Sequence, residues 1–286
     1  MDRSDYTTEI QSRAFRILRV FQEICEKNDL LYYAIGGTCI GAVRHQGFIP
    51  WDDDIDVAMP YNDYCRFREI CKAELPKPYS VIGPDNCKHY TMLYFKIHDG
   101  STCYVENHDK NYKDRYCGVS MDVFPIFGLP SNENDIQRLR DINEVLKRKN
   151  IKRRFPLSEE SGLPGRIYWL MRVPFKLLRP YNYYSQKQEE TLCKNSFSES
   201  DKIFFPWRRK PEKNLKATYK DIFYYEDFKE AKKVVFEDGY INIPIGYDRY
   251  LRMDFGDYMK LPPKEKQVGN HPTALIDLSK SYKEYI

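Results

Sequence analysis

The chain has 286 residues, of which 42% are hydrophobic and 31% charged, with a net charge of +4. These are the proportions of an ordinary globular protein long enough for one large domain or two small ones. No run approaches the ~20 apolar residues of a membrane span, and Met1–Asp5 lacks the apolar stretch of a secretory leader, which argues against integral-membrane and secreted classes. Eight cysteines (25, 39, 65, 71, 87, 103, 117 and 193) are scattered without a C-x-x-C pair. They read as reduced, mostly buried thiols rather than a disulfide framework or a zinc site. The 24 Tyr and 16 Phe imply an aromatic core or aromatic-lined pockets.

Taken in chain order, Thr8-x-x-Gln11 offers a cap for a first helix. Ile10, Ala14, Ile17, Leu18, Phe21, Ile24 and Cys25 continue it at the helical period to near Asn28. A strand over Leu30–Ile35 delivers Gly36-Gly37, and one or two helical turns follow. Pro60 closes a strand that carries an acidic run, and Tyr61–Ala73 is predicted helical. Apolar runs at Tyr90–Ile97 and Val119–Phe127 are predicted as strands, Glu133 to about Asn195 as mainly helical. Glu237-Asp238-Gly239 between Val234–Phe236 and Tyr240–Ile243 signals a hairpin, with a short helix from Tyr247 to about Phe255. Helices and strands alternating in this way predict an α/β (α+β) fold with a mixed β-sheet core flanked by helices. Its expected divisions are a catalytic core over 1–130, a mainly helical, basic insertion over 131–232, and a C-terminal hairpin and helix over 233–286 that complete the core.

The most informative stretch runs from Ala34 to Met59. It couples Gly36-Gly37 to the carboxylates Asp52, Asp53, Asp54 and Asp56. Glycines let a backbone pass close to a phosphate. Carboxylates two apart on a strand project to the same side, so Asp54 and Asp56 converge while Ile55 and Val57 turn into the core. Such a pair suits Mg²⁺, which takes oxygen ligands and shares them with substrate phosphates. Acidic runs are usually solvated loops, but this one lies inside an apolar frame, where uncompensated acids cost stability.

This stretch resembles the LicD/fukutin family of the nucleotidyltransferase-fold superfamily. Gly36-Gly37 and Asp54-x-Asp56 match the superfamily pattern; Arg44, His45, Gly47 and Pro50-Trp51-Asp52 match the narrower family. A late signature is similar too, from Pro244-x-Gly246-Tyr247-Asp248 through Phe255-Gly256-Asp257-Tyr258 to His271. The resemblance covers roughly residues 10–130 and 235–272. Phe255, where Tyr is common, and His98, where Arg is common, depart from it.

The resemblance implies Asp54, Asp56 and Asp122 as catalytic and metal-holding residues, with Asp52 as a further metal ligand and one or two Mg²⁺ or Mn²⁺ ions. Asp122, bracketed by Met121 and Val123, takes the place of the third carboxylate, as ligand or as base. Gly36, Gly37 and the Thr38 hydroxyl would lie against a phosphate at a helix start. Arg44 would fork onto phosphate oxygens or pair with the acidic cluster. His45 and His271 are candidates for proton transfer or donor contact. Lys96 would be costly to bury in a strand without an anion, which fits a phosphate contact. Asp257 reads equally as a turn or cap residue.

Members that the chain resembles move a substituted phosphoryl group, such as phosphocholine, from a CDP-activated donor to a sugar hydroxyl of a cell-surface glycan, teichoic acid or glycolipid. A choline donor would call for an aromatic cage, which the sequence does not locate. Three enzyme alternatives stay open. One is NMP transfer from an NTP; another is a metal-dependent glycosyltransferase, although that would not need Gly36-Gly37. A dehalogenase-type phosphatase is disfavoured by Ala58 and by Pro50-Trp51. A non-catalytic metal- or glycan-binding module is the remaining reading.

Between Arg138 and Arg179, twelve Lys/Arg stand against four acids, a local charge of +8 among apolar and aromatic residues. Such a segment suits an anionic membrane surface or a polyanionic glycan, or is simply a solvated helix face. No nucleic-acid partner is expected. The expected location is cytoplasmic, with peripheral contact at the inner face of the membrane.

Overall fold

The computed structural model describes residues 6–154, 180–208, 221–269 and 271–286. Helix α1 (Thr7–Lys27) buries the predicted stripe, with Ile17, Leu18 and Phe21 fully enclosed. It ends as expected at Asn28, whose N–H and side-chain amide both donate to the Ile24 carbonyl. Its start differs. Tyr6 takes the cap position with no side-chain cap bond. The Gln11 amide donates instead to the Asp52 carbonyl at 2.7 Å. A side chain long enough to cap its own helix is also long enough to brace a neighbouring loop, and here the acidic loop takes it.

A mixed sheet forms the centre. Its main path runs β1 (Tyr33–Ala34), β2 (Asp56–Pro60), β6 (Ser120–Gly128), β4 (Phe95–Asp99) and β3 (Tyr79–Ile82). Strand β6 lies parallel to β2 and antiparallel to β4. Its far end, at Phe127 and Gly128, exchanges β4 for β7 (Lys202–Phe204), which pairs in turn with β8 (Ile222–Tyr224). Helix α2 (Gly36–His45) joins β1 to the acidic loop, and α3 (Tyr61–Glu74) follows β2 directly. Two further ribbons stand off the sheet. One is the hairpin β9 (Ala231–Phe236) and β10 (Gly239–Pro244); the other pairs β5 (Cys103–Glu106) with β11 (Thr273–Asp277).

Helix α3, the hairpin and the helix Tyr247–Phe255 fall where the sequence places them. Two strands are shorter than their apolar runs. Leu30–Ile35 contains only β1, and of Tyr90–Ile97 only Phe95 onward is strand. The remaining apolar residues anchor loops: Tyr90 packs with Ile82, Cys87 and Cys117 in a small separate cluster. Apolarity reports burial, and burial does not require a strand.

Many of the aromatic residues are core. Tyr33, Tyr64, Phe67, Phe95, Phe205, Phe228 and Tyr250 are each at most 1% exposed. None of the eight cysteines is in a disulfide, and six are buried. Helix α4 (Glu133–Arg154) packs on the helix Tyr183–Leu192, where the Asn150 amide donates to Ser185 Oγ. Of the basic residues expected to face an anionic surface, Arg140 is spent inside the fold, where its guanidinium grips the Asp221 carboxylate at 2.8–3.0 Å. The part of the basic segment over 155–179 lies outside the described residues.

Candidate active site

The register of three adjacent strands builds the site. Asp56 on β2 sits opposite Asp122 on β6, and Asp122 sits opposite Lys96 on β4. Residues directly opposite share a face, so two carboxylates and an ammonium form one row across the sheet. Ile55 and Val57 are fully buried on either side of Asp56. β2 begins only at Asp56, so Asp54 lies in the lead-in rather than on the strand. The backbone pairing still reaches that far, since the Asp122 N–H donates to the Ile55 carbonyl at 2.8 Å.

Asp56 is clamped through its backbone. Its N–H donates to the Thr38 hydroxyl at 2.8 Å, and its carbonyl accepts from the Ile35 N–H at 3.0 Å. Thr38 therefore ties the first turn of α2 to the strand end. Gly36 has φ +57, a left-handed conformation that costs a side-chain-bearing residue energy. A Cβ on Gly37 would stand 2.5 Å from an Asp52 carboxylate oxygen, so this backbone lies directly against the acids. The Gly36 N–H donates to the Tyr250 hydroxyl at 2.9 Å. Arg208 reaches the same hydroxyl and also pairs with Asp254.

A cavity of about 280 Å³ opens over the row. It is lined by Asp53, Asp54, Asp56, Lys96, Glu106, Asp122 and His271, and by Met92, Tyr94, Tyr104, Phe124 and Trp207. Lys96 Nζ lies 2.8 Å from Asp122 and 3.7 Å from Glu106. Burial works against its charge, but Asp122, Tyr94, Glu106 and Tyr90 together outweigh that and hold the lysine well above its ordinary range. Asp53 is buried and accepts from the Tyr104 hydroxyl at 2.9 Å. His271 Nδ1 lies 3.7 Å from Asp53 and 3.6 Å from Asp54. Its pKa is pushed up to about 9, chiefly by Asp53. The ribbon of β5 and β11 explains how a residue so late in the chain arrives here: Thr273 pairs with Glu106.

Burial first, and then crowding, raises the pKa values of Asp52, Asp56 and Asp122. Burial and then Asp54 push Asp52 up to about 8. Burial, then Asp54 and Asp122, hold Asp56 well above the ordinary carboxylate range. Asp122 is also raised by burial, against the opposing pull of Lys96. Among the described residues no three His, Cys, Asp or Glu side chains are drawn together as a closed cation cage. Mg²⁺ asks for less, since it usually takes one or two carboxylates and completes its shell with water and substrate phosphates. The hard oxygen donors of Asp56 and Asp122, side by side and mutually repelling, fit that requirement.

Arg44 and His45 stand elsewhere. They end α2, roughly 12 Å along its axis from Gly36, and neither lines the cavity. Arg44 donates to the Tyr258 carbonyl at 2.6 Å and to His45 Nε2 at 2.9 Å, and thereby holds the segment after the last helix. Asp257 lies in a turn whose carbonyl accepts from the Lys260 N–H. Glu106, Tyr104, Tyr94, Phe124 and Trp207 line the cavity without having been read from the sequence. Alternation in Cys103–Glu106 was the available signal for Glu106; Trp207 carried none.

Residues 30–152 match the nucleotidyltransferase domain described as LicD/FKTN/FKRP. The chain is 31% identical over 274 residues to the lipopolysaccharide cholinephosphotransferase LicD of Haemophilus influenzae, across 92% of this chain and 95% of that protein. Uncharacterized proteins of Rickettsia typhi and Rickettsia prowazekii are 39% identical over 113 residues and 38% identical over 87 residues, 33% of each relative's length. No helix among the described residues is long and apolar enough to cross a membrane.

Proposed function

The chain belongs to the LicD/FKTN/FKRP nucleotidyltransferase family, and on that premise we propose that it transfers phosphocholine from CDP-choline to a sugar hydroxyl of a cell-surface glycan. The observation that carries this reading is the row of Asp56, Asp122 and Lys96 beneath a cavity, in a chain aligned along nearly its whole length with a cholinephosphotransferase. In the reaction the acceptor oxygen bonds to the phosphorus that bears choline. The bond from that phosphorus to the oxygen it shares with CMP breaks, and CMP leaves with the electron pair. The hydroxyl proton passes to a carboxylate of the site and on to solvent.

Asp56 and Asp122, with Asp54 and Asp52 beside them, would hold Mg²⁺. When bound, the ion neutralises developing charge on the phosphates and lowers the acceptor hydroxyl's pKa. The remaining work falls to the chain. Lys96 fixes the orientation of Asp122 and keeps a positive charge at the cavity floor. The clamp from Thr38 and Ile35 fixes Asp56. Gly36 and Gly37 bring the start of α2, with its favourable field for anions, against the diphosphate. His271 is positioned over Asp53 and Asp54 to contact the donor. A cytoplasmic enzyme acting at the inner membrane face suits a CDP-activated donor.

Calorimetric titration with CDP-choline, CTP and UDP-glucose, with and without Mg²⁺, tests the reading. Mg²⁺-dependent binding of CDP-choline in preference to the other two supports it. Preference for CTP would move the assignment to NMP transfer, and preference for UDP-glucose to glycosyl transfer.

A further inference from the structure

Strand alternation puts a second row beside the charged one. Phe124 lies two residues beyond Asp122 on β6 and so shares the face of the acids, and Tyr94 stands in the bend just before β4, two residues ahead of Lys96. The Tyr94 and Phe124 rings are 4.2 Å apart. Trp207 stacks on Phe124 at 4.5 Å and 28°, and Met92 lies at the rim, 37% exposed. These four side chains make one wall of the same cavity that Asp54, Asp56, Asp122 and Glu106 line. The rows are separated by about 6.6 Å, two residues of strand rise.

We infer that the aromatic wall of Tyr94, Phe124 and Trp207 is the seat of the donor's quaternary ammonium head group and makes the enzyme selective for choline over polyol and primary-amine donors. This rests on the donor reading above and goes beyond it by naming the residues that choose the head group. Two arguments favour it. A trimethylammonium group is cationic, apolar at its surface and without N–H donors. Aromatic rings beside a row of carboxylates attract it and ask it for no hydrogen bond. A glycerol or ribitol head group would lose water at this wall and recover few hydrogen bonds.

Reach supplies the second argument. In CDP-choline only an O–CH₂–CH₂ spacer separates the transferred phosphorus from the nitrogen, so a phosphate over the acid row places the ammonium one row away. The cytosine is farther, beyond a second phosphate and the ribose, and does not belong at this wall.

The test compares CDP-choline, its uncharged carbon isostere with a tert-butyl head, CDP-ethanolamine and CDP, titrated with Mg²⁺ into wild type, Trp207→Ala and Trp207→Phe. Wild type should bind CDP-choline roughly 10- to 30-fold tighter than the isostere and CDP. Trp207→Ala should lose that margin while holding CDP with wild-type affinity, and Trp207→Phe should keep part of it. Thermal melting of each variant separates lost recognition from lost folding. If Trp207→Ala retains the margin, the seat lies elsewhere and the donor reading survives. If it weakens CDP as much as CDP-choline, the wall holds the nucleotide and the inference is wrong. If wild type shows no margin for CDP-choline, the choline donor falls, and the inference with it.

Discussion

Lys96 and Asp122 face each other across β4 and β6, with Nζ 2.8 Å from Oδ1 and both side chains at most 16% exposed. Each makes the other tolerable. Lys96→Met should leave a buried, uncompensated carboxylate and cost about 3–5 kcal/mol. The double variant Lys96→Met/Asp122→Asn should recover most of that loss, because no buried charge is stranded. Urea denaturation of the four proteins reads the coupling; simple additivity of the single losses would contradict it.

Asp56→Asn should lower transfer at least about 100-fold while far-UV circular dichroism stays unchanged. Its backbone bonds to Thr38 and Ile35 survive the substitution, so the strand end keeps its place. Asp54→Asn should behave in the same way. Activity retained in both variants would show that the reaction occurs elsewhere.

The acid crowd predicts how a cation and pH act together. Asp52 has a folded pKa of about 8 against an ordinary 3.8. A carboxyl raised in this way binds its proton more tightly in the folded state, so it costs stability increasingly as pH climbs from 3.8 to about 8. Mg²⁺ bound as proposed would take the place of the missing proton. Its effect on Tm should therefore be several degrees at pH 8.5 and small at pH 5.5, and Asp56→Asn should shrink it. Equal shifts at the two pH values would contradict the account.

His98 predicts the opposite sign, away from the site. It is buried, accepts from the Gly118 N–H through Nδ1, and meets Ser80 Oγ through Nε2 at 2.9 Å. Burial lowers its pKa from 6.5 to about 4. Its depressed pKa means that the unfolded chain takes up the proton first. Stability is then fully present above pH 6.5 and falls as pH drops toward 4, on the order of 3 kcal/mol in all. His98→Gln should flatten that part of the pH profile in urea denaturation.

Much of the fold and part of the site were legible because both follow local rules. The period of α1, the Glu237-Asp238 turn and the helix at Tyr247–Phe255 are set by neighbours in sequence. Gly36-Gly37 and the alternation around Ile55 likewise placed a glycine turn against acids. The rest is set by long-range pairing. β5 recruits β11 and brings Glu106 beside His271, which no spacing reports. Arg44 lies close to the acids in sequence, but α2 is rigid and carries it to the other end. Gln11 shows the same competition on a small scale, its amide bound to the acidic loop and not to its own helix.

The most direct test of the central claim is to incubate the protein with CDP-choline, Mg²⁺ and a lipooligosaccharide acceptor, and to weigh the acceptor by mass spectrometry while measuring CMP. The account predicts an acceptor heavier by one phosphocholine group, CMP released in equal amount, and neither product with Asp56→Asn. An acceptor that gains a nucleotide, or CMP released with the acceptor unchanged, would contradict it.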